Sequence, residues 1–222
     1  MLEPDAPMTY TLLGWTHAMT VTFGRSKSPG KDMQRAFELA QKTIELTDDS
    51  IGEPHSLLGF LYSINRQYEK AIEEAEKAVT LSPNSAEIRR HMALIYNYVG
   101  RREEAITAAK QAIRLNPHPP PYYFQILGEA LLMAGQYEEA IEAYKKGLHV
   151  DPKHASSMWG LAMAYALLGR EKEAKAIVEE FLMMARPGFS VKSLEMIYFS
   201  TWKNQSDRAF LADAMRKAGF PG

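Results

Sequence analysis

Apolar residues return along this chain at the spacing of amphipathic helices, in short runs separated by turns. Four segments share one pattern: YEKAIEEAEKAV at 68–79, REEAITAAKQAI at 102–113, YEEAIEAYKKGL at 137–148 and EKEAKAIVEEFL at 171–182. Their starts lie 34, 35 and 34 residues apart. Upstream of each sits a second apolar pattern: LLGFLY at 57–62, MALIY at 92–96, ILGEAL at 126–131 and GLAMAY at 160–165. Pro83, Pro117 and Pro152 follow three of the units at matching places, and Pro187 follows the fourth one position late. A fixed period of this length predicts repeated helix–turn–helix units. Gly100, Gly135 and Gly169 fall where a first helix must end, ready for a left-handed cap. The earlier unit has Asn65-Arg66 there, with Asn the next best residue for positive φ. The prolines stop each second helix.

A further unit lies upstream in altered form. Pro4 sits at the proline phase and Leu13-Gly14 at the Leu-Gly phase, but the next anchor, Ala36, arrives ten residues late. RAFELAQKTIEL (35–46) reads as its second helix, and Pro29-Gly30 puts a loop at about 25–31. At the other end RPGFS (186–190) is a turn with Ser190 as N-cap. VKSLEMIYFSTW (191–202) and SDRAFLADAMRKAGF (206–220) read as two more helices, the last capped by Ser206 or Asp207. Such a tail covers the last apolar face of a repeat array.

The units resemble the tetratricopeptide repeat. Leu58-Gly59-Tyr62, Ala71, Ala78 and Pro83 match its pattern in one unit, and Met92-Ala93-Tyr96, Ala105, Ala112 and Pro117 in the next. Leu127-Gly128, Ala140, Tyr144 and Pro152 match in the third, and Leu161-Ala162-Tyr165 and Ala174 in the fourth. Small residues let crossing helices approach closely, and tyrosines fill the gaps between units. The fold this implies is all-α: a right-handed α-solenoid of about five units, at roughly 7–50, 52–85, 86–120, 121–154 and 155–187, with C-terminal helices at 190–220, in one domain spanning 1–222.

The order of the details is narrower than a generic repeat. LLGWTHAMTVTFGRSKSPGKDMQRAFELAQKTIEL, RLNPHPPPYYFQILGEAL, RPGFSVKS and the closing MRKAGFPG together resemble the C-terminal repeat region of bacterial class III adenylate/guanylate cyclase-type proteins and related transcriptional regulators. That resemblance implies a sensory or protein-binding module rather than a catalytic part. The start at Leu2-Glu3-Pro4 has the phase of a closing unit, which suggests a fragment or a gene beginning at a repeat boundary.

In the repeat family the first helices line a concave groove. Carried over position by position, the groove residues here are Trp15, Phe60, Arg90, His91, Leu94, Asn97, Tyr98, Tyr122, Gln125, Glu129, Trp159 and Met163. The face is low in charge and rich in aromatic and Met side chains, which suits an apolar helix or an extended peptide. The Asn of the chaperone-binding carboxylate clamp is replaced by Trp15, Phe60, Leu94, Glu129 and Met163, so that clamp is absent, although Arg90 and His91 offer a place for one acidic group.

Composition removes other chemistries. Lys and Arg number 26 and Asp and Glu 27, a net charge of −1 that argues against general attraction to nucleic acid or an acidic membrane. With no cysteine there is no disulfide, thiolate metal site or cysteine nucleophile. No apolar run is long enough to span a bilayer, and the N-terminus lacks a signal-peptide pattern; the expected location is the cytoplasm. GRSKSPGKD (24–32) lacks the spacing and preceding strand of a phosphate loop. His17, His55, His91, His118, His149 and His154 include no pair at metal-ligand spacing on one helix, so neither metal nor cofactor is expected. Glu73-Glu74, Glu103-Glu104 and Glu138-Glu139 recur on the second helices of successive units and read as a solvated helix face. The expected function is therefore non-catalytic binding of a protein or peptide, probed best at Trp159 and Phe60. Homo-oligomerisation as a structural scaffold is the alternative.

Overall fold

The computed structural model describes residues 6–22 and 24–222. Twelve α-helices and one 3₁₀ turn, with no strand, form among the described residues. First and second helices alternate through five successive units. They are α1 Pro7–Thr22 and α2 Pro29–Leu46, α3 Glu53–Ile64 and α4 Tyr68–Leu81, α5 Ala86–Val99 and α6 Arg102–Leu115, α7 Pro121–Met133 and α8 Tyr137–Val150, and α9 Ala155–Leu167 and α10 Glu171–Met184. α11 Val191–Ile197, the 3₁₀ turn Phe199–Thr201 and α12 Gln205–Ala218 follow. The chain divides into two compact groups, Met1–Ile95 and Tyr96–Gly222, with the boundary inside α5.

Local sequence explains where the helices stop. Gly100, Gly135 and Gly169 end their helices at φ of +81°, +76° and +76°. After α3 it is Arg66, not Asn65, that takes the left-handed conformation, at φ +58°. Asn65 stays at φ −85° because its N–H still closes the last turn on Leu61. Pro29 does not break a helix but starts α2, where its missing N–H is no loss. The connecting loop therefore ends at Ser28, earlier than the sequence suggests. Pro4, read as a proline of the repeat phase, lies outside the described residues.

In the first group the core forms where small residues meet large ones. Ala71, Ala75 and Ile95 cluster, with Tyr62, Ile72 and Met92 packed around them. A Cβ placed on Gly59 would stand 3.1 Å from both the Ala71 carbonyl oxygen and the Ile95 side chain, so the close approach of α3 to α4 depends on this small residue. In the second group the equivalent closeness serves an aromatic ring. Tyr144 from α8 is fully buried between α7 and α9. A Cβ on Gly128 would lie 2.6 Å from its ring, and one on Gly160 2.2 Å.

The C-terminal segment departs from its sequence reading in detail. Ser190 does cap α11, in a reciprocal capping box with Ser193. The helix then ends at Ile197, and the rest of the run to Trp202 turns as a 3₁₀ segment and an extended residue. α12 starts at Gln205 with Asn204 in the cap position, two or three residues before the predicted caps. α12 lies along α9, with smaller contact to α10. Phe181, Phe189 and Phe220 meet edge to face at centroid separations of 4.7, 5.6 and 5.9 Å, and the Val191 N–H donates to the Pro221 carbonyl at 2.8 Å, so the chain end is tied back to α10 and the start of α11.

Gly160→Ala forces Tyr144 out of its seat and should destabilise the protein by about 1–3 kcal/mol, the usual cost of overpacking a tight core. The check is a lowered urea midpoint with an unchanged denaturant slope.

Candidate functional site

The twelve residues expected to line a groove fall into two clusters, one in each compact group. In the first, Trp15 of α1 stacks on His91 of α5 at 4.3 Å between ring centroids and leans on Phe60 of α3 at 5.2 Å. α1 and α5 flank α3, so the indole and imidazole together roof that helix. Phe60 is consequently buried at 4% exposure, with Ser56 and Ser63 beside it, while Trp15 keeps part of its surface in solvent. Leu94 is also buried.

Arg90 and His91 do not stand ready for an acidic ligand. Arg90 is held by Glu87 at 2.6 Å, and its guanidinium also donates to His91 Nε2. Because arginine only donates, Nε2 must accept, and His91 Nδ1–H then donates to Ser56 Oγ at 2.8 Å. The ring is thus neutral, and burial, together with the adjacent Arg90 charge, holds its pKa well below the ordinary 6.5.

His55 has the opposite environment. Nδ1 lies 2.6 Å from Glu74 and Nε2 2.5 Å from Asp49, so both nitrogens donate to carboxylates. Burial pulls its pKa down, but the bonds to Glu74 and Asp49 outweigh burial and raise it above 6.5. Asp49, in the tight α2–α3 connection at φ +57°, also takes Lys77 at 2.5 Å. Glu74, expected on a solvated face, is therefore part of a staple joining that connection to α3 and α4. Neither histidine is arranged for a metal, and no group of three or more His, Cys, Asp or Glu side chains that could hold one occurs among the described residues.

In the second group the expected groove residues face the chain's own tail. Tyr198 Oη donates to Glu129 Oε1 at 2.6 Å and accepts from Gln125 Nε2 at 3.3 Å. Its ring meets Trp159 edge-on at 5.7 Å. Trp202 is buried at 1% exposure, with its ring edge-on to Tyr98 at 5.9 Å, and the Lys203 N–H donates to the Tyr98 carbonyl at 2.7 Å. Farther along, Arg102 binds Asp207 of α12 at 2.8 Å. Asn97 instead ties α5 to α7 through the Ile126 carbonyl at 3.1 Å, Met163 is buried, and Tyr122 is exposed.

Burial raises the pKa of Glu129 to about 7, against the pull of its bonds to Tyr198 and Gln125. Its Oε2, the Tyr144 hydroxyl and the Trp159 indole N–H are all buried without a hydrogen-bond partner. Sequence reasoning missed Tyr198 and Trp202, whose signal was a pair of large aromatics four residues apart in a segment read only as a cap. A separate cleft of about 490 Å³ opens between α6, α7 and α8, floored by Ile113, Phe124, Leu127 and Leu131.

The two histidines should give opposite pH profiles. His55 has a raised folded pKa, so its contribution is complete below about 6.5 and is lost as pH rises through the folded value; His91 has a lowered one, so its contribution is complete above about 6.5 and is lost as pH falls. Urea midpoints of His55→Gln should differ from the parent most near pH 6 and converge with it in alkali, whereas those of His91→Gln should diverge most above pH 7.

Three tetratricopeptide-repeat family models match the chain, at residues 53–85, 92–148 and 131–194. Small glutamine-rich tetratricopeptide repeat-containing protein 2 of Mycosarcoma maydis is 37% identical over 111 residues, which are 50% of this chain and 31% of that protein. The chain thus spans under a third of that relative's length. Among solved structures, PilF of Pseudomonas aeruginosa superposes with a TM-score of 0.69 at 20% identity, covering 95% of this chain and 89% of that one. YrrB, described as a TPR protein with an unusual peptide-binding site, superposes with a TM-score of 0.57 at 19% identity, over 72% of this chain and 82% of that one. Likeness at these identities extends to the fold alone. With the period, the capping glycines and the paired helices already in place, the chain is a tetratricopeptide-repeat protein.

Proposed function

We propose that this protein is a non-catalytic interaction module that takes a peptide or helix of a partner protein on its first-helix face, as part of a bacterial signalling polypeptide. The observation that carries the reading is the seating of Tyr198 and Trp202 among Tyr98, Gln125, Glu129 and Trp159. Those four residues were singled out as groove residues, and they accept an aromatic-rich chain segment through both side-chain and backbone hydrogen bonds. The signalling context is supported by the layout of the first unit, the Asn116-Pro117-His118-Pro119-Pro120 loop and the Lys217-Ala218-Gly219-Phe220-Pro221 ending.

In the first group the same face offers Trp15, the aromatic side chain there with surface still free. Trp15→Ala should reduce partner capture at least tenfold while keeping the helical signal and lowering the melting midpoint only modestly, by the roughly 0.5–1.5 kcal/mol that each aromatic contact contributes. Phe60→Ala should instead cost about 3–5 kcal/mol of stability, because it empties a buried site. Cross-linking with mass-spectrometric mapping should place the partner on α1, α3 and α7; cross-links confined to α2, α4 and α8, or full capture by Trp15→Ala, would refute the reading.

One observation favours self-association as a second reading. Met183 is 83% exposed, Met196 72% and Ile197 61%, all at the end of α10 and on α11. Apolar side chains this open are covered in many proteins by an interface. Light scattering should then show a concentration-dependent dimer that Met183→Glu with Met196→Glu dissolves, whereas a parent that stays monomeric at high concentration removes this reading.

A further inference from the structure

Glu129 and the segment that covers it are mismatched in charge once the carboxylate ionises. The groups facing Glu129 are Tyr198 of the tail, Gln125 of α7 and Tyr144 of α8, with Trp159 of α9 and Tyr98 of α5 reaching it through Tyr198. Each is neutral. Tyr198 supplies one hydroxyl to Oε1, and Oε2 is buried with no partner. A protonated carboxyl tolerates such a seat, but an ionised carboxylate in it calls for a cation or for water. Beyond Tyr198, the segment meets this face through Trp202 against Tyr98 and the Lys203 N–H on the Tyr98 carbonyl, and it is tied to α12 by the Arg208 bonds to the Trp202 and Lys203 carbonyls and by the Glu195–Arg216 ion pair.

We propose that the α7–α9 face is a binding site for a partner segment that brings an arginine or lysine to Glu129, and that residues 190–204 are a displaceable occupant holding the site while Glu129 is protonated. This rests on the peptide-groove reading above and adds the chemistry of the occupant. The site suits a basic side chain on three counts. Oε2 is open to a second hydrogen bond, so a guanidinium can bind both carboxylate oxygens. Trp159 presents an indole beside the position of Tyr198, suited to stacking with a cation. Tyr98 and the cavity of Trp202 accept a neighbouring aromatic.

The pH dependence has a definite sign. Glu129 titrates near 7 when covered, against 4.5 in water. Covering by the tail is therefore strongest below pH 4.5, weakens by up to tenfold per pH unit above that, and levels off past pH 7, an overall loss of at most about 300-fold. A cationic occupant meets the ionised carboxylate and gains where the tail loses.

The probe is a peptide copying residues 190–204, in its own sequence and with Tyr198→Arg, titrated onto the full chain at pH 6 and pH 8. Tail release is read by hydrogen exchange at the Lys203 amide, with amides of α4 as reference and rates corrected for intrinsic base catalysis. At pH 8 the arginine peptide should deprotect the chain's own Lys203 at concentrations at least tenfold lower than the tyrosine peptide; at pH 6 that margin should shrink to threefold or less. Glu129→Gln should abolish the margin at both pH values. Tyr198→Phe in the chain, which removes only the hydroxyl bound to Glu129, should lower the arginine-peptide concentration needed and serves if Glu129→Gln misfolds. Equal action of the two peptides at pH 8, no action by either, or a margin retained in Glu129→Gln overturns the proposal. Because partner capture through Trp15 is measured separately, such a failure leaves the broader interaction reading to its own test.

Discussion

Tyr144 reaches from α8 into the space between α7 and α9, and that space exists because both helices present glycine to the ring. A methyl group at Gly160 would lie 2.2 Å from the ring, and one at Gly128 2.6 Å. The aromatic ring thus sets how closely the two first helices approach. It also brings a phenol under the face those helices share, where it adds to the buried neutral surroundings of Glu129. A ring carrying its hydroxyl into a dry place creates an unmet polar group, at a cost of about 1–3 kcal/mol. Glu129 Oε2 and the Trp159 indole N–H share that condition. Three unmet groups along one face are more than close packing alone requires, and they mark the place where this protein departs from simple repeat stacking.

Protonation in this chain follows the partners each group meets. His91 is forced neutral because an arginine, which can only donate, occupies one nitrogen. His55 is held protonated because carboxylates occupy both. Glu129, with only neutral partners, keeps its proton to about pH 7. The three share the property of being buried: burial sets the direction at His91 and Glu129, and only at His55, where two carboxylates face the ring, do the neighbours reverse it.

The helical framework was legible because the repeat states each instruction several times. Three glycines at one phase make the left-handed caps readable, and prolines follow four of the five second helices. What the sequence hid were features stated once. Arg66 rather than Asn65 takes positive φ because the Asn65 N–H is committed to the last turn of α3. Pro29 opens a helix instead of a loop because proline is acceptable in a first turn. Among the groove residues, Tyr98, Gln125, Glu129 and Trp159 do share a face. Phe60, Leu94 and Met163 are buried beneath neighbours, because a periodicity of first-helix positions gives direction but not depth. Glu74 has no glutamate at the matching place in the next two units, where Ala108 and Ala143 stand, and it lies opposite His55; pairing across helices is not encoded in the period.

Each group covers its own first helices by different means, and that difference has kinetic meaning. Around Phe60 the cover is one side chain, Trp15 on His91, anchored by ring stacking. Side-chain rotation is fast, and a ligand needs only to trade one stacking contact for another. Around Glu129 the cover is a stretch of backbone fixed by Tyr198, Trp202, the Lys203 N–H and, beyond it, the Arg102–Asp207 pair. Lifting it breaks several contacts together and is a local unfolding event, drawn from a higher free-energy level. A partner engaging the first face competes with a rotamer, whereas one engaging the second competes with a folded segment. The second therefore needs an interaction the segment does not make, and the unmet Oε2 of Glu129 offers one to a cation.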